Sequence, residues 1–235
     1  MGTLKIRQFR YSADNLGYVV YGNSLAMAID PGAADDMVSF TRSRGIELKY
    51  VVNTHSHSDH TWGNGRIARL SGAEFLDNMT LRNKGVIELD GAVIDIRHTP
   101  GHSADSIVFL FDNILVAGDT LFNGKVGRCF TGDLRGFYHS IKEIMALPRE
   151  TIIYAGHDYV EEYMENAKKI EPDNQEIDDF LERYNSDHVR STLEDELRIN
   201  AFIRFNDEKI VTMLRDRGLT VDTEYDRWES IMSIH

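Results

Sequence analysis

The chain has 235 residues, of which 42% are hydrophobic and 27% are charged. These proportions are typical of a globular protein with a substantial core, and they exclude a disordered or collagen-like chain. The 38 acidic residues outnumber the 26 basic ones, and the formal charge of −12 argues against nucleic acid or an anionic membrane as a partner, because such partners require clustered cations.

The first two-thirds of the chain alternates strand-like and helix-like segments. Two strands are predicted within 18–30, on either side of the turn Gly22-Asn23-Ser24. Further strands are predicted at 48–52, 92–97, 106–111, 114–117 and 151–155, and helices at 34–44 and 136–147. This alternation is typical of an α/β layer protein.

After residue 157 the pattern becomes helical. Helices are predicted at 159–170, 175–184, 192–202, 207–217 and 223–234. Ser191 with Glu194 predicts a capping box, and Gly218 predicts the end of a helix. We therefore predict a catalytic α/β domain over residues 1–165 and a helical, substrate-binding appendage over 166–235.

The chain carries no sequence signal for export or for membrane insertion. Cys129 is the single cysteine and cannot form an internal disulfide, as expected in a reducing compartment. The N-terminal segment lacks the apolar stretch of a signal peptide, and no run of about 18 apolar residues occurs. We expect a cytoplasmic protein, either a monomer or a homodimer, without a nucleic-acid or membrane partner.

Three histidines fall within the six residues HSHSDH at 55–60. Because side chains alternate along an extended segment, His55 and His57 point the same way, while Asp59 and His60 follow in the turn. Imidazole and carboxylate groups are ligands that zinc, iron and manganese accept. The segment therefore predicts a metal site.

Three further ligand-type residues follow predicted strands or lie at glycine turns: His102 in TPGHS, Asp119 in AGDT and His157 in AGHD. Loops at strand ends are where α/β proteins build their sites. Together with the first cluster they supply seven ligands, enough for two metal ions that share one carboxylate.

The order of these motifs resembles the metallo-β-lactamase superfamily, whose His-x-His-x-Asp-His signature is present here as HSHSDH. The resemblance implies an α/β fold, the four-layer αβ/βα sandwich, followed here by the C-terminal helical appendage. It also implies the following ligand sets: His55, His57 and His102 for one metal ion, Asp59, His60 and His157 for a second, and Asp119 as the bridge.

Within the superfamily the chain is most similar to glyoxalase II, the hydroxyacylglutathione hydrolases, through THSHSDHTWGN, HTPGH, GDTLF, GHDYV and STLEDELRINAFIRF. The resemblance implies hydrolysis of a thioester, S-(2-hydroxyacyl)glutathione, to glutathione and a 2-hydroxy acid. The nucleophile would be a hydroxide that bridges two divalent ions, which we expect to be zinc, with iron or manganese as alternatives. Asp59 and Asp119 are the expected catalytic carboxylates.

Glutathione carries two carboxylates, so cations are expected beside the metal site. Arg128, Arg204 and Lys209 fall near the basic binding positions of this family, and we predict that they bind the substrate. Asp30 and Thr54 are candidates to fix the tautomer of an imidazole ligand, although Asp30 could equally be a turn residue.

The main alternative is a persulfide dioxygenase, an oxidoreductase that would oxidise glutathione persulfide. The stretch FYHSIKEIMALPRETIIYAGHDY resembles that family, and a single iron would then sit on His55, His102 and Asp119. The segments HTWGN and NAFIRF favour the hydrolases instead. A metal site that serves structure alone would need only four ligands, so seven argue against it.

Overall fold

The structure, a computed structural model, describes residues 2–234. The strands are β1 (Lys5–Tyr11), β2 (Asn15–Tyr21), β3 (Leu25–Ile29), β4 (Glu47–Val52), β5 (Glu74–Phe75), β6 (Val86–Leu89), β7 (Ala92–His98), β8 (Ile107–Phe111), β9 (Ile114–Gly118), β10 (Leu121–Phe122), β11 (Lys125–Val126), β12 (Ile152–Ala155) and β13 (Ser191–Thr192). The helices are α1 (Ala34–Ser43), α2 (Ser58–Thr61), α3 (Asn64–Ser71), α4 (Asn78–Lys84), α5 (Leu134–Met145), α6 (Val160–Ile170), α7 (Gln175–Arg183), α8 (Leu193–Ile199), α9 (Glu208–Asp216) and α10 (Glu224–Met232).

Most strands belong to two sheets. One has the order β1-β2-β3-β4-β5 and the other the order β13-β12-β9-β8-β7-β6, while β10 and β11 form a separate hairpin. β3 and β4 are parallel, as are β9 and β12. The segments that follow β4, β9 and β12 contain most of the predicted metal ligands.

Apolar side chains fill the space between the two sheets. Tyr18 and Ile29 from the first sheet and Phe109 and Val116 from the second belong to one buried cluster. Because side chains alternate along a strand, the residues next to these in each strand point away from the opposite sheet. Where those residues are apolar, another layer of the protein must cover them. This alternation gives each sheet two apolar faces.

Helices cover both outer faces. Val19 and Ala28 pack with α1 and α3 in one cluster. Val108 and Leu115 pack in another with α5 and with the C-terminal helices, which bury Trp228. The order of layers is thus helix, sheet, sheet, helix, and the predicted four-layer sandwich is confirmed. None of the helices within residues 2–234 has the length and apolar character needed to cross a membrane.

The C-terminal helices begin where the sequence predicts, with one local correction. The predicted capping box of Ser191 with Glu194 is wrong, because it forms one residue later, between Thr192 and Asp195. Ser191 lies in β13, and its hydroxyl donates to the buried Glu196 at 2.6 Å. Helix α6 crosses residue 165, and the division of the chain at that point remains a prediction.

Candidate metal centre

The predicted ligands converge at one edge of the sandwich, where the strands of both sheets end. His55 and His57 follow β4, and Asp59 and His60 lie in the short helix α2. The remaining three lie in the loops after β7, β9 and β12: His102, Asp119 and His157. Residues far apart in the sequence therefore meet because their strands end side by side.

The first cluster consists of His55, His57 and His102. His57 Nδ1 lies 2.9 Å from His55 Nε2 and 3.0 Å from His102 Nε2. Three ring nitrogens thus face a common point, with ligand atoms within 4.8 Å of one another. If each of these nitrogens presents its lone pair to that point, none can donate a hydrogen bond to another, and together they suit one cation.

The second cluster consists of Asp59, His60 and His157. The Nε2 atoms of His60 and His157 are 3.2 Å apart, and Asp59 Oδ2 lies 3.5 and 3.4 Å from them. The two clusters have the membership that the family resemblance implied. That these residues bind metal remains a prediction.

Asp119 lies between the two clusters. Its Oδ2 is 3.4 Å from His102 Nε2 in the first cluster and 3.5 Å from His157 Nε2 in the second. Its buried Oδ1 has no hydrogen-bond partner within the described residues and lies 3.5 Å from His60 Nε2. Such an orphaned carboxylate oxygen fits a bridging metal ligand, because burial without a partner would otherwise be costly.

The backbone also makes room for Asp119. A Cβ atom on Gly156 would lie 2.1 Å from Asp119 Oδ1 and 2.9 Å from His60 Cε1. The glycine before His157 is therefore required for the close approach of the carboxylate and the imidazole.

Asp30 and Thr54 fix the tautomers of two ligands. Asp30 accepts hydrogen bonds from Thr54 Oγ1 at 2.7 Å and from His60 Nδ1 at 3.0 Å. Since the hydroxyl hydrogen of Thr54 goes to Asp30, its oxygen must accept the Nδ1 hydrogen of His55, at 3.1 Å. Both imidazoles then carry their proton on Nδ1 and direct the lone pair of Nε2 into the centre.

Two further hydrogen-bond acceptors fix the tautomers of His102 and His157. The Nδ1 of His102 donates to the backbone oxygen of Arg128 at 3.1 Å. The Nδ1 of His157 donates to Asp14 Oδ1 at 2.9 Å, and Tyr159 stacks on its ring at 5.0 Å. Four imidazoles therefore direct an Nε2 lone pair to one centre, as divalent-metal sites require.

The electrostatics of the centre favour a bound cation. Burial lowers the pKa of His55 to about 4, so its imidazole is neutral. Burial would also lower the pKa of His60, but the charges of Asp30 and Asp119 raise it. Burial would raise the pKa of Asp119, whereas the imidazoles of His157 and His60 hold it well below its usual value. A divalent ion would replace protons at these nitrogens.

The centre opens to solvent on one side. His60 and Asp119 are buried, whereas the side chain of Asp59 is 46% exposed. The largely exposed side chain of Phe130 lies beside the opening, against the rings of His57 and His102. The edge of the Phe130 ring faces His102, with ring centroids 5.2 Å apart. A substrate can therefore reach the predicted ligands past the carboxylate of Asp59 and the apolar ring of Phe130.

The structure places the three predicted substrate cations in different environments. Arg128 is exposed beside the opening, with its guanidinium carbon 5.1 Å from the centroid of Phe130. Lys209 is exposed in the first turn of α9. Arg204 is nearly buried and forms ion pairs with Glu171 and Asp207 at 2.6 and 2.8 Å. The binding roles of all three remain predictions, and the pairing of Arg204 favours a structural role for it.

We expect Arg204→Ala to lower the stability of the protein more than its affinity for substrate. The variant leaves the carboxylate of Glu171, whose side chain is only 8% exposed, without its partner. Breaking such a pair costs about 3 kcal/mol, which corresponds to a fall of roughly 6–12 °C in the midpoint of thermal unfolding. Circular dichroism would measure that midpoint.

Arg198→Ala is the matched control, because Arg198 forms exposed ion pairs on the same face of the appendage. Its midpoint should stay close to that of the parent protein. An unchanged midpoint for Arg204→Ala, together with a raised KM, would instead support the predicted contact with substrate.

Some residues that support the centre were not predicted from the sequence. Asp14 holds His157 across 143 positions of the chain, and Asn15 Nδ2 donates to Asp59 Oδ2 at 3.0 Å. The backbone carbonyl of Arg128 holds His102. Asp14 and Asn15 lie where the buried strand β2 begins, and this position does not indicate their partners.

A four-layer sandwich with this histidine-rich centre defines the metallo-β-lactamase class of proteins. The family described as "Metallo-beta-lactamase superfamily" matches residues 15–74 and 81–157. The family described as "Hydroxyacylglutathione hydrolase C-terminus" matches residues 158–230. Together these two matches cover nearly all of the α/β layers and most of the C-terminal helices.

Known proteins agree with these matches. A hydroxyacylglutathione hydrolase of Pelagibacter ubique is 32% identical over 91% of this chain and 98% of its own length. The crystal structure of ETHE1 from Myxococcus xanthus has a TM-score of 0.70 at 21% identity, over 98% of this chain and 90% of that one. The BLEG-1 B3 metallo-beta-lactamase has a TM-score of 0.65 at 18% identity, over 85% and 99%. The chain belongs to the hydroxyacylglutathione hydrolase family of the metallo-β-lactamase superfamily.

Proposed function

We propose that this protein hydrolyses the thioester bond of an S-(2-hydroxyacyl)glutathione, yielding glutathione and a 2-hydroxy acid. The observation that carries the proposal is the coincidence of two features in one chain. One is the open centre of seven ligand-type residues, and the other is the match of residues 158–230 to the C-terminal region of these hydrolases. The relatives that match over most of the chain carry the same name.

We further propose that the centre holds two divalent ions, with zinc as the expected metal and iron or manganese as alternatives. His55, His57 and His102 would hold one ion, Asp59, His60 and His157 the other, and Asp119 would contact both. Ions bound there would supply Lewis acidity, which polarises a carbonyl and makes water acidic enough to attack near neutral pH.

The residues of the chain prepare this chemistry by fixing positions and protons. Asp30 keeps the proton of His60 on Nδ1 directly and that of His55 on Nδ1 through Thr54, away from the centre. Asn15 holds one oxygen of Asp59. Asp59 is the exposed carboxylate of the centre, and we propose that it orients the attacking water by accepting a hydrogen bond from it. No serine or cysteine nucleophile is needed.

The products follow from the atoms of the reaction. Water adds to the carbonyl carbon, the carbon–sulfur bond breaks, and the sulfur leaves as the thiol of glutathione. Arg128 lies beside the opening and would attract the anionic glutathione part. We propose that the reaction takes place in the cytoplasm, a reducing compartment that suits a chain whose single cysteine, Cys129, cannot form an internal disulfide.

The test follows the loss of thioester absorbance when metal-replete protein is mixed with S-lactoylglutathione. We expect rapid hydrolysis that stops when a chelator removes the metal and returns when zinc is added back. Iron and manganese, added separately to the stripped protein, would identify the metal that supports the reaction.

The dioxygenase alternative provides the second arm of the test. Oxygen consumption with glutathione persulfide should be absent. Oxygen consumption without thioester hydrolysis would overturn the proposed function and would require the iron site on His55, His102 and Asp119.

A further inference from the structure

A cavity of about 370 Å³ lies beside the metal centre. Its lining comes from the β10–β11 hairpin, the residues that follow it and helix α6, and consists of Lys125, Val126, Arg128, Glu162 and Tyr163. This volume lies within the range of pockets that hold small molecules. The function proposed above gives this cavity no role beyond the attraction of Arg128.

Contacts connect the cavity to both sides of the metal centre. On one side, the ring of Tyr163 lies 5.7 Å from that of Phe122, which lies 6.1 Å from His157. On the other side, the backbone oxygen of Arg128 accepts the hydrogen bond of His102. The cavity is therefore adjacent to the residues that pack against His157 and that hold His102.

Two cations, Lys125 and Arg128, line the cavity. No carboxylate within residues 2–234 forms a salt bridge with Lys125 or Arg128, although the chain has a large excess of acidic residues. The ammonium group of Lys125 is half-buried and lies 5.2 Å from the ring centroids of Tyr163 and Phe202. Glu162 is the acidic residue on the lining of the cavity.

The surroundings of Lys125 also limit its freedom. Contacts with two aromatic rings hold the ammonium in place without neutralising it. Burial lowers the pKa of Lys125, because the charged form loses hydration. An anion that enters the cavity would therefore restore the interactions that this cation lacks.

Resting on the proposed function, we propose that Lys125 is a further substrate-binding residue of this enzyme. Lys125 and Arg128 together bind the carboxylates of the glutathione part, and Tyr163 forms the apolar wall beside them. The thiol carrier then lies in the cavity, while its acyl group extends to the metal centre. Lys125 thus acts on affinity for the carrier and not on the bond-breaking step.

The experiment compares Lys125→Met with the parent protein. Methionine keeps an apolar stem against the two rings and removes the charge. KM for S-lactoylglutathione should rise about tenfold with kcat within twofold, because the lost contact is equal in ground and transition states. Lys125→Arg keeps the positive charge, so its KM should stay close to that of the parent protein.

A second readout does not depend on the metal. Calorimetry would measure the binding of S-methylglutathione, a thioether without a scissile bond, to chelator-stripped protein. Its affinity should fall by about the same factor in Lys125→Met. Glu162→Gln is a control with the opposite expected effect. It removes a carboxylate that would repel the carboxylates of the ligand, so binding should strengthen about twofold.

The two proposals fail in distinguishable ways. If Lys125→Met leaves both KM and the S-methylglutathione affinity unchanged, the role of Lys125 is wrong, while hydrolysis by the parent protein would still establish the proposed function. If the parent protein does not hydrolyse the thioester but binds S-methylglutathione through Lys125, the cavity assignment holds and the proposed reaction is wrong. An absence of both hydrolysis and binding overturns both.

Discussion

Asp119→Ala is expected to abolish thioester hydrolysis and to reduce the metal content of both clusters. The carboxylate of Asp119 approaches His102 in the first cluster and His60 and His157 in the second, and its buried Oδ1 has no other partner in the described residues. If the centre holds two ions as proposed, the substitution would therefore take one ligand from each of them. Loss of a supporting hydrogen bond alone costs 10- to 100-fold in metal affinity or activity, so loss of a shared ligand should cost more than about 100-fold.

Elemental analysis and the thioester assay would measure these two losses side by side. Asp158→Asn is the control, because its carboxylate, next to a predicted ligand in the sequence, is bound by Arg10 and Tyr184 outside the centre. The control should keep its metal. Full metal content or full activity in Asp119→Ala would rule out a shared carboxylate.

Strongly periodic segments of the fold could be predicted from the sequence, and weakly periodic ones could not. The apolar run at 48–52 corresponds to β4, which begins one residue earlier. β1 was missed because it is a half-exposed edge strand in which three basic residues interrupt the apolar pattern, and it is stabilised by its ladder with β2. Helix α3 was missed because Ile67 is its one fully buried residue.

The same distinction applies to the site. The convergence of the seven candidate ligands could be predicted because they lie in short local motifs whose residue types suit metals. Their supports could not, since a backbone carbonyl such as that of Arg128 has no signal in the sequence, and the partner of Asp14 is distant along the chain. Whether an arginine is free or paired depends on tertiary packing, as Arg204 shows.

Asp30→Asn is expected to weaken metal binding without disturbing the fold. Asp30 is fully buried at a φ of 49°, a conformation that asparagine tolerates well. The amide oxygen of asparagine can still accept the hydrogen bond that Thr54 N donates at 2.8 Å. The amide nitrogen, however, replaces the oxygen that accepts from His60 Nδ1 and from Thr54 Oγ1.

The consequence is the loss of a fixed tautomer in both clusters. His60 loses the acceptor that keeps its proton on Nδ1, and Thr54 loses the acceptor that makes its oxygen available to His55. Metal affinity should fall about 10- to 100-fold, as measured by competition with a chromophoric chelator. Circular dichroism would verify that the variant is folded.

Thr54→Val separates the two effects, because it removes the acceptor of the hydrogen bond from His55 and leaves the hydrogen bond from His60 to Asp30 in place. We expect Thr54→Val to lower the affinity for one ion and Asp30→Asn to lower the affinity for both. The two ions would be distinguished by their separate steps in the titration. If Asp30→Asn binds both ions with the parent affinity, then hydrogen bonds to the far side of the imidazoles do not set the metal affinity of this centre.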